Sequence, residues 1–84
     1  MRHFASPRFW QHYRQLPPAV RELADKNFQL LKADPEHPSL HFKKIDKLSS
    51  IRVGAHYPAL GFDKREGVVW FWIGSHADYD KLLP

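Results

Sequence analysis

The spacing of apolar residues changes near the middle of this chain. Between residues 18 and 33 they recur every three or four positions, with charged side chains on the opposite side, as in an amphipathic helix. A shorter helix is predicted to begin at Pro7 with Ser6 as its N-cap, because serine is a good N-cap and proline fits the first helical position. It should end before the Pro17-Pro18 pair, so the two helices are expected to form an αα-hairpin.

The second half of the chain has the two-residue period of β-strands. Four strands are predicted, over residues 40–45, 49–54, 57–62 and 68–73. Residues 3–5 are a candidate for one more short strand. Ser75, with Asp78 three positions later, fits a capping box, so a short helix should follow to Leu83.

This order of elements predicts an α+β fold. The N-terminal αα-hairpin should pack on one face of a four-stranded, mainly antiparallel sheet, and a short C-terminal helix should follow the last strand. Alternation along the second strand places Ile51 and Val53 on one face and Ser50 and Arg52 on the other. In the last strand, which should be central because it is apolar on both faces, one face is expected to hold Val69, Phe71 and Ile73, and the other Val68, Trp70 and Trp72. The face away from the hairpin should be partly open and available for binding.

Length and composition limit the classes of protein to consider. A chain of 84 residues predicts one domain, over residues 1–84, that buries about 60% of its unfolded surface. The absence of cysteine excludes disulfides, thiolate metal sites and cysteine nucleophiles. No apolar run approaches the roughly 18 residues of a membrane span, and the N-terminus lacks the apolar stretch of a signal peptide. We therefore expect a soluble cytoplasmic protein.

Positive charge is concentrated in one part of the chain. Residues 41–65 hold six Lys or Arg and two acids, a net charge of +4, whereas the other residues carry seven charges of each sign. A local basic patch favours a polyanionic partner or an acidic protein partner. The alternative is that these are the ordinary solvated lysines of a small domain.

His76 is the first candidate for acid–base chemistry. It lies just after the last predicted strand, near the first turn of the terminal helix, a position that favours anions such as phosphate. Histidine titrates near neutral pH and can therefore act as a general acid or base. The alternative is a histidine that makes only local hydrogen bonds at a helix start.

The basic residues of the predicted sheet are candidates for phosphate contacts. Lys43 and Lys44 should point to opposite faces of their strand, so only one of them can join a given patch, and Lys43 should share a face with His41. Arg52 can hold a phosphate through its bidentate guanidinium fork. Its alternative role is that of a solvated residue whose stem covers apolar surface.

Further residues are candidates for contacts with a nucleic acid. Tyrosines can stack on a base or donate a hydrogen bond to a phosphate oxygen, although Tyr79 could instead serve packing of the terminal helix. Candidates for RNA contacts are Lys47, Tyr57, Lys64 and Arg65. The chain has no motif with metal-ligand spacing and no glycine-rich phosphate loop. If the protein is an enzyme, we expect it to work without a metal or cofactor.

Short segments in a recognisable order run through most of the chain. They are LPPAV at 16–20, DPEHPSL at 34–40, FKK at 42–44, IRVG at 51–54, YPALG at 57–61 and WFWIGSH at 70–76, with Tyr79 after them. In their order and spacing, these segments resemble the RelE/ParE superfamily, the toxin halves of type II bacterial toxin–antitoxin modules. The resemblance covers residues 16 to 83.

The resemblance implies a small RelE-like α+β domain. RelE-type members are metal-independent endoribonucleases that cut mRNA in the ribosomal A site, by attack of the ribose 2′-hydroxyl on the adjacent phosphate. They use Lys and Arg from the sheet, and often a His or Tyr near the C-terminus. Carried over to this chain, Lys43 or Lys44 and Arg52 would stabilise the phosphate, His76 would be the acid or base, and Tyr79 a weaker helper. A cognate antitoxin would lay an acidic amphipathic segment over the sheet or a groove.

Pro58 is a departure from the superfamily pattern. Many relatives carry Arg directly after the tyrosine that corresponds to Tyr57, and loss of that cation would weaken phosphate binding. A proline also removes a strand donor, which predicts an edge or irregular strand. Two alternatives therefore stay open: a ParE-like inhibitor of DNA gyrase without catalysis, and an inert relative that only binds an antitoxin. Convergence of the cations and His76 on one open face would favour the nuclease.

Overall fold

A computed structural model describes residues 2–82 of the chain. Its helices are α1 (Pro7–Tyr13), α2 (Pro18–Ala33) and α3 (His76–Leu82), and a 3-10 turn covers Pro38–Leu40. Its strands are β1 (Arg2–Ala5), β2 (Lys43–Ile45), β3 (Leu48–Val53), β4 (Tyr57–Lys64) and β5 (Gly67–Ile73). The predicted α+β class is confirmed. The predicted helix end at Leu83 lies outside the described residues.

The sheet has five strands in the order β1-β5-β4-β3-β2. The short segment at residues 3–5 does form a strand, and it pairs in parallel with β5, so the sheet has one strand more than the four expected. All other neighbours are antiparallel. β4 is the middle strand, so Pro58 does not mark an edge strand. The alternative expectation, an irregular strand, agrees with the register shift between Leu60 and Gly61 of β4. The proline is tolerated because it is the second residue of that strand, where the pairing begins.

Local capping signals place the helix starts as predicted. The Ser6 hydroxyl accepts a hydrogen bond from the Phe9 backbone N–H at 3.3 Å, and Pro7 occupies the first helical position. The Ser75 hydroxyl accepts from the Asp78 backbone N–H at 3.1 Å. Each hydroxyl thus satisfies a helix N–H that has no partner inside the helix.

The predicted strand over residues 40–45 begins three residues late. Leu40 belongs to the 3-10 turn and is fully buried, and His41 follows it in the left-handed conformation with φ +48°. A residue with this φ cannot continue an extended strand. β2 therefore starts only at Lys43.

The hydrophobic core lies between the helices and one face of the sheet, which we call the inner face. Along β3, Ile51 and Val53 are buried while Ser50 and Arg52 are only half-buried, so the predicted alternation is confirmed. The core cluster comprises Phe9, Leu16, Ala24, Leu31, Leu40, Ile51, Val53, Ala59, Val68, Trp70 and Ile73. Within this layer, the Trp70 indole N–H donates to Nδ1 of His3 at 3.1 Å, so the buried donor is satisfied.

A β-bulge changes the facing of residues near the end of β5. Leu60 pairs with Trp72 and the next residue, Gly61, pairs with Trp70, so Phe71 has no partner on β4. Ile73 therefore packs in the core cluster with Trp70. The predicted groupings of Ile73 with Val69 and Phe71, and of Trp72 with Val68 and Trp70, were wrong, because one extra residue reverses the alternation that follows it.

The opposite side of the sheet, the outer face, is only partly covered. Leu60 and Trp72 are buried there without joining the core cluster, and the ring of Tyr79 on α3 lies 6.2 Å from that of Trp72. α3 thus covers one end of this face and leaves the remainder to solvent. Over residues 2–82, no helix is long and apolar enough to cross a membrane.

Candidate functional site

A cleft of about 200 Å³ opens on the outer face, between β2, β3, the start of β4 and α3. The residues that line it are His41, Lys43, Ile45, Ser50, Ile51, Arg52, Pro58, His76 and Tyr79. Four of the residues singled out in the sequence (Lys43, Arg52, His76 and Tyr79) therefore meet in one place. Their convergence joins positions that are up to 36 residues apart in the chain.

Strand register explains why the two cations reach this cleft. Lys43 pairs with Ser50, and Arg52 pairs with Pro58, so these residues share the outer face of neighbouring strands. Pro58 thus stands directly beside Arg52 and adds no charge to the cleft. Lys43 is exposed, and Arg52 is half-buried at the cleft wall.

Lys44 does not join the cleft. It pairs with Ser49 on the inner face, and its Nζ lies 3.0 Å from Oδ2 of Asp63. The buried Ser49 hydroxyl donates to the other oxygen of the same carboxylate. These two interactions, that of Ser49 first, hold the pKa of Asp63 below its ordinary value. Lys44 is therefore engaged in a structural ion pair.

The cleft cations have no such partner within the described part of the chain. The ion pairs among residues 2–82 are Lys44–Asp63 and His76–Asp80. Lys43 and Arg52 consequently keep all their hydrogen-bond donors available for a bound anion. Such free cations on adjacent strands suit a phosphate group, which accepts from several donors at once.

His76 is the first residue of α3 and is held at the cleft by its backbone. Its N–H donates to the carbonyl of His56 at 2.8 Å, which ties the start of α3 to the β3–β4 turn. The side chain is 59% exposed, and its Nδ1 lies 3.3 Å from Oδ2 of Asp80. With Nδ1 directed at this carboxylate, Nε2 is the ring nitrogen that remains for the cleft. The ring of Tyr79 lies 6.0 Å away.

Two residues of this site were not predicted as members. His41 enters the cleft because its left-handed backbone turns the chain into β2, and its expected shared face with Lys43 was the signal for it. The contact of Asp80 with His76 could have been predicted from their i,i+4 spacing, since such residues are neighbours on a helix. The cleft thus offers two histidines, and one of them has a carboxylate partner.

The other residues predicted to contact RNA do not line the cleft. Tyr57 packs against the core cluster on the inner face. Lys47 lies in the turn between β2 and β3, and Lys64 and Arg65 lie where β4 turns into β5. These cations are therefore at the opposite end of the sheet from Arg52.

No group of three or more His, Cys, Asp or Glu side chains within residues 2–82 is arranged to hold a metal ion. The two histidines of the cleft do not form such a group with Asp80. The side chains that line the cleft can bind an anion and transfer protons.

Comparison with solved structures identifies the fold. The RelB–RelE antitoxin–toxin complex from Methanococcus jannaschii matches with a TM-score of 0.76 and 15% identity, over 96% of this chain and 99% of that chain. The intact E. coli RelBE toxin–antitoxin complex matches with a TM-score of 0.63 and 17% identity, over 87% and 93%. The isolated E. coli RelE toxin matches with a TM-score of 0.63 and 15% identity, over 98% and 97%.

No protein-family model matches this sequence, and no curated protein matches it either. The structural similarity covers 87–98% of this chain in these three comparisons. The chain therefore has the RelE-like toxin fold, as the sequence segments had indicated. At these low identities, the similarity concerns the fold, and the activity has to be argued from the cleft.

Proposed function

We propose that this protein is the toxin of a type II toxin–antitoxin system and cuts mRNA on the ribosome without a metal or cofactor. The observation that carries the proposal is the convergence of Lys43, Arg52, His41 and His76 on one open cleft. That set combines cations for a phosphate with two groups able to move protons. The proposed partners of the protein, the ribosome and the antitoxin, are cytoplasmic, so we expect the protein to act in the cytoplasm.

The reaction is a transesterification within the RNA. The 2′-oxygen of one ribose forms a bond to the adjacent phosphorus, and the bond from phosphorus to the 5′-oxygen of the next nucleotide breaks. A base takes the proton of the 2′-hydroxyl, and an acid gives a proton to the departing 5′-oxygen. The products are a 2′,3′-cyclic phosphate and a free 5′-hydroxyl.

The cleft residues have separate tasks in this reaction. The guanidinium of Arg52 and the ammonium of Lys43 bind the nonbridging phosphate oxygens, where negative charge grows in the transition state. His76 and His41 are the two proton-transfer groups. Tyr79 lies beside His76 and is a weaker helper, which can donate a hydrogen bond to the same phosphate.

Asp80 acts through His76. A carboxylate at Nδ1 holds the imidazole in the tautomer that carries the proton on that nitrogen and fixes the ring direction. Both side chains are well exposed, so the contribution of this pair is small. We therefore assign Asp80 a positioning role.

An antitoxin partner is the second part of the proposal. Two of the similar structures are complexes of RelE with the antitoxin RelB. Positive charge on the open sheet face supports an acidic protein partner. Binding of such a partner near the cleft would silence the toxin.

Inhibition of DNA gyrase without catalysis is the alternative. Pro58 favours it, because the cation that many relatives carry at this position is missing beside Arg52. The exposure of His76 and the free cleft cations favour the nuclease. An inert relative that only binds an antitoxin would need neither feature.

Expression of the chain in a bacterial host, with mapping of mRNA 5′ ends, tests the proposal. We expect growth arrest with new 5′ ends inside translated frames. Arg52→Ala and His76→Ala should each remove both effects. His56→Ala is the matched control, because that histidine is exposed outside the cleft and only its backbone carbonyl contacts His76.

Other outcomes would contradict the nuclease. Growth arrest with intact mRNA and accumulated DNA breaks would support gyrase as the target. Full toxicity of both Arg52→Ala and His76→Ala would rule out the cleft as the active site. Absence of arrest in the wild type would indicate an inert relative, and Pro58→Arg would then be the first change to test for restored activity.

A further inference from the structure

A cavity on the helix side of the sheet takes no part in the chemistry of the cleft. It encloses about 420 Å³ between α1, α2 and the end of β1, within the range of about 300–1,000 Å³ that is typical of small-molecule sites. Its walls include four aromatic rings and two polar side chains, those of Phe9, Trp10, Tyr13, Phe28, Asp25 and Gln29. We call it the aromatic cavity. Its lining shares no residue with the cleft, which opens on the outer face.

Three of the four rings form one cluster on α1. The Trp10 ring stands almost perpendicular to those of Phe9 and Tyr13, at 83° and 84°, with centroids 5.4 and 5.1 Å away. Phe9 is buried in the core, whereas Trp10 is 38% exposed and Tyr13 and Phe28 are half-buried. Aromatic surface is thus left open around a concave space, which is typical of a binding site.

Asp25 supplies the charged group of the aromatic cavity. The Tyr13 hydroxyl donates to its Oδ1 at 2.7 Å, and this hydrogen bond raises the pKa of Tyr13 above its ordinary value. Arg21 is near enough to oppose that rise, yet no cation among residues 2–82 lies within ion-pair distance of Asp25. The carboxylate therefore keeps Oδ2 and its negative charge available for a ligand.

Aromatic rings beside a carboxylate suit an organic cation. The face of an aromatic ring carries negative potential, and sites built from several rings bind quaternary ammonium ions. Phe28 already has a cation over its ring, since the Nζ of Lys32 lies 5.0 Å from the ring centroid. An anion would be repelled by Asp25, and an uncharged apolar ligand would desolvate the carboxylate without giving it a partner.

We propose that the aromatic cavity binds an organic ammonium ion, with Trp10 and Phe28 against its methyl groups and Asp25 as its counter-ion. Two sources carry this chemistry, a free quaternary amine and a trimethylated lysine side chain of another protein, and the test below separates them. The binding depends on residues of α1 and α2, and on none of the cleft residues.

The test compares choline with 3,3-dimethylbutan-1-ol, which has the same shape and a carbon atom in place of the charged nitrogen. Each compound is titrated into ¹⁵N-labelled protein, and the indole N–H signal of Trp10 is followed. Trp70 and Trp72 are buried outside the cavity, so their indole signals are internal references. We expect choline to shift the Trp10 signal saturably and to bind about tenfold more tightly than the neutral alcohol. A short peptide with one trimethyllysine that binds more tightly than choline would assign the ammonium group to a protein side chain.

Matched variants separate the aromatic cavity from the rest of the surface. Trp10→Ala, followed by amide shifts along α1 and α2, should raise the Kd of choline about tenfold, because a ring of the cavity is lost. Asp25→Asn keeps the shape of the side chain and should narrow the difference between choline and the alcohol about threefold. Phe62→Ala removes a comparably exposed ring from the outer face and should leave the Kd unchanged, as should His76→Ala. An unaltered circular dichroism spectrum confirms that each variant folds.

Several results would overturn the inference. Equal affinity for choline and the neutral alcohol would make the cavity an apolar site without preference for a cation. A Trp10 signal that choline does not shift would overturn it as well, and so would a Kd that neither Trp10→Ala nor Asp25→Asn changes. Since the readout needs neither ribosome nor RNA, a failure of mRNA cleavage leaves this result standing, and the two proposals can fail separately.

Discussion

The two faces of the sheet are built from alternate residues of the same strands. Polar groups on the inner face are paired with other groups of the protein, whereas the cations on the outer face are not. On the inner face Lys44 is bound to Asp63, Ser49 donates to that carboxylate, and the Trp70 indole donates to His3. On the outer face the neighbouring Lys43 has no ion-pair partner among residues 2–82. Of these two adjacent lysines of one short strand, Lys44 thus has a carboxylate partner and Lys43 has none among residues 2–82.

This difference indicates that the polar groups of the inner face contribute to stability and that those of the outer face are available for function. A buried or half-buried polar group with a partner contributes to the fold, and its loss leaves that partner unsatisfied. A free cation beside exposed histidines adds little to stability and is available to a ligand. Changes on the inner face should therefore lower stability, whereas changes on the outer face should lower activity or partner binding.

The largest expected effect lies on the inner face. Trp70 is 1% exposed in the middle of the core, so Trp70→Ala should lower the free energy of unfolding by about 3–5 kcal/mol. Phe62→Ala, on the outer face of the adjoining strand, should cost far less because that ring is half-exposed. Urea denaturation measures both values. Similar losses for the two variants would contradict the division between the faces.

The second prediction compares the two neighbouring lysines. Lys43→Ala should slow RNA cleavage about 100-fold, the scale for one lost transition-state donor, without lowering the melting temperature. Lys44→Ala should keep the cleavage rate, since its partner Asp63 faces away from the cleft, and should lower the melting temperature only slightly, because the Lys44 side chain is half exposed. Cleavage assays and thermal melts of both proteins check this. The reverse assignment would refute the placement of the site.

The third prediction concerns pH on the inner face. Burial lowers the pKa of His3 below its ordinary value of 6.5. As pH falls below about 6.5, the unfolded chain takes up this proton first, so the stability contributed by neutral His3 is progressively lost. Protonated His3 also cannot accept from the Trp70 indole.

Urea denaturation between about pH 7 and 5 measures this loss. His3→Asn keeps a hydrogen-bond acceptor and removes the titration, so it should show a weaker pH dependence than the wild type. His56→Asn, at an exposed turn, should retain the wild-type dependence. Equal pH dependence in all three proteins would show that His3 does not titrate differently on folding.

The smallest effect is expected for the exposed pair on α3. Asp80→Asn should reduce cleavage about twofold, because exposed i,i+4 pairs contribute only about 0.3–0.5 kcal/mol. It should also lower the share of His76 that carries its proton on Nδ1, as seen in imidazole ¹⁵N shifts. Asp78→Asn on the same helix is the control. A tautomer ratio unchanged by Asp80→Asn would remove the positioning role.

The features of the fold that depend on local signals are predictable from the sequence. The caps at Ser6 and Ser75 and the opposite facing of Lys43 and Lys44 follow from short-range chemistry and strand alternation. The bulge at Phe71 depends on pairing between β4 and β5, so alternation alone placed Ile73 on the wrong face. The left-handed turn at His41 was missed for a similar reason, since the burial of the preceding residue determines it.

The most direct test of the cleft as a ribonuclease site uses the purified protein and ribosomes programmed with a defined mRNA. The cleft's chemistry predicts a cut that leaves a 2′,3′-cyclic phosphate and a 5′-hydroxyl, and no cut when the scissile nucleotide is 2′-deoxy. His76→Ala and Arg52→Ala should abolish the cut on the unmodified mRNA. Cleavage of the 2′-deoxy message, or full cleavage by both variants, would contradict the account.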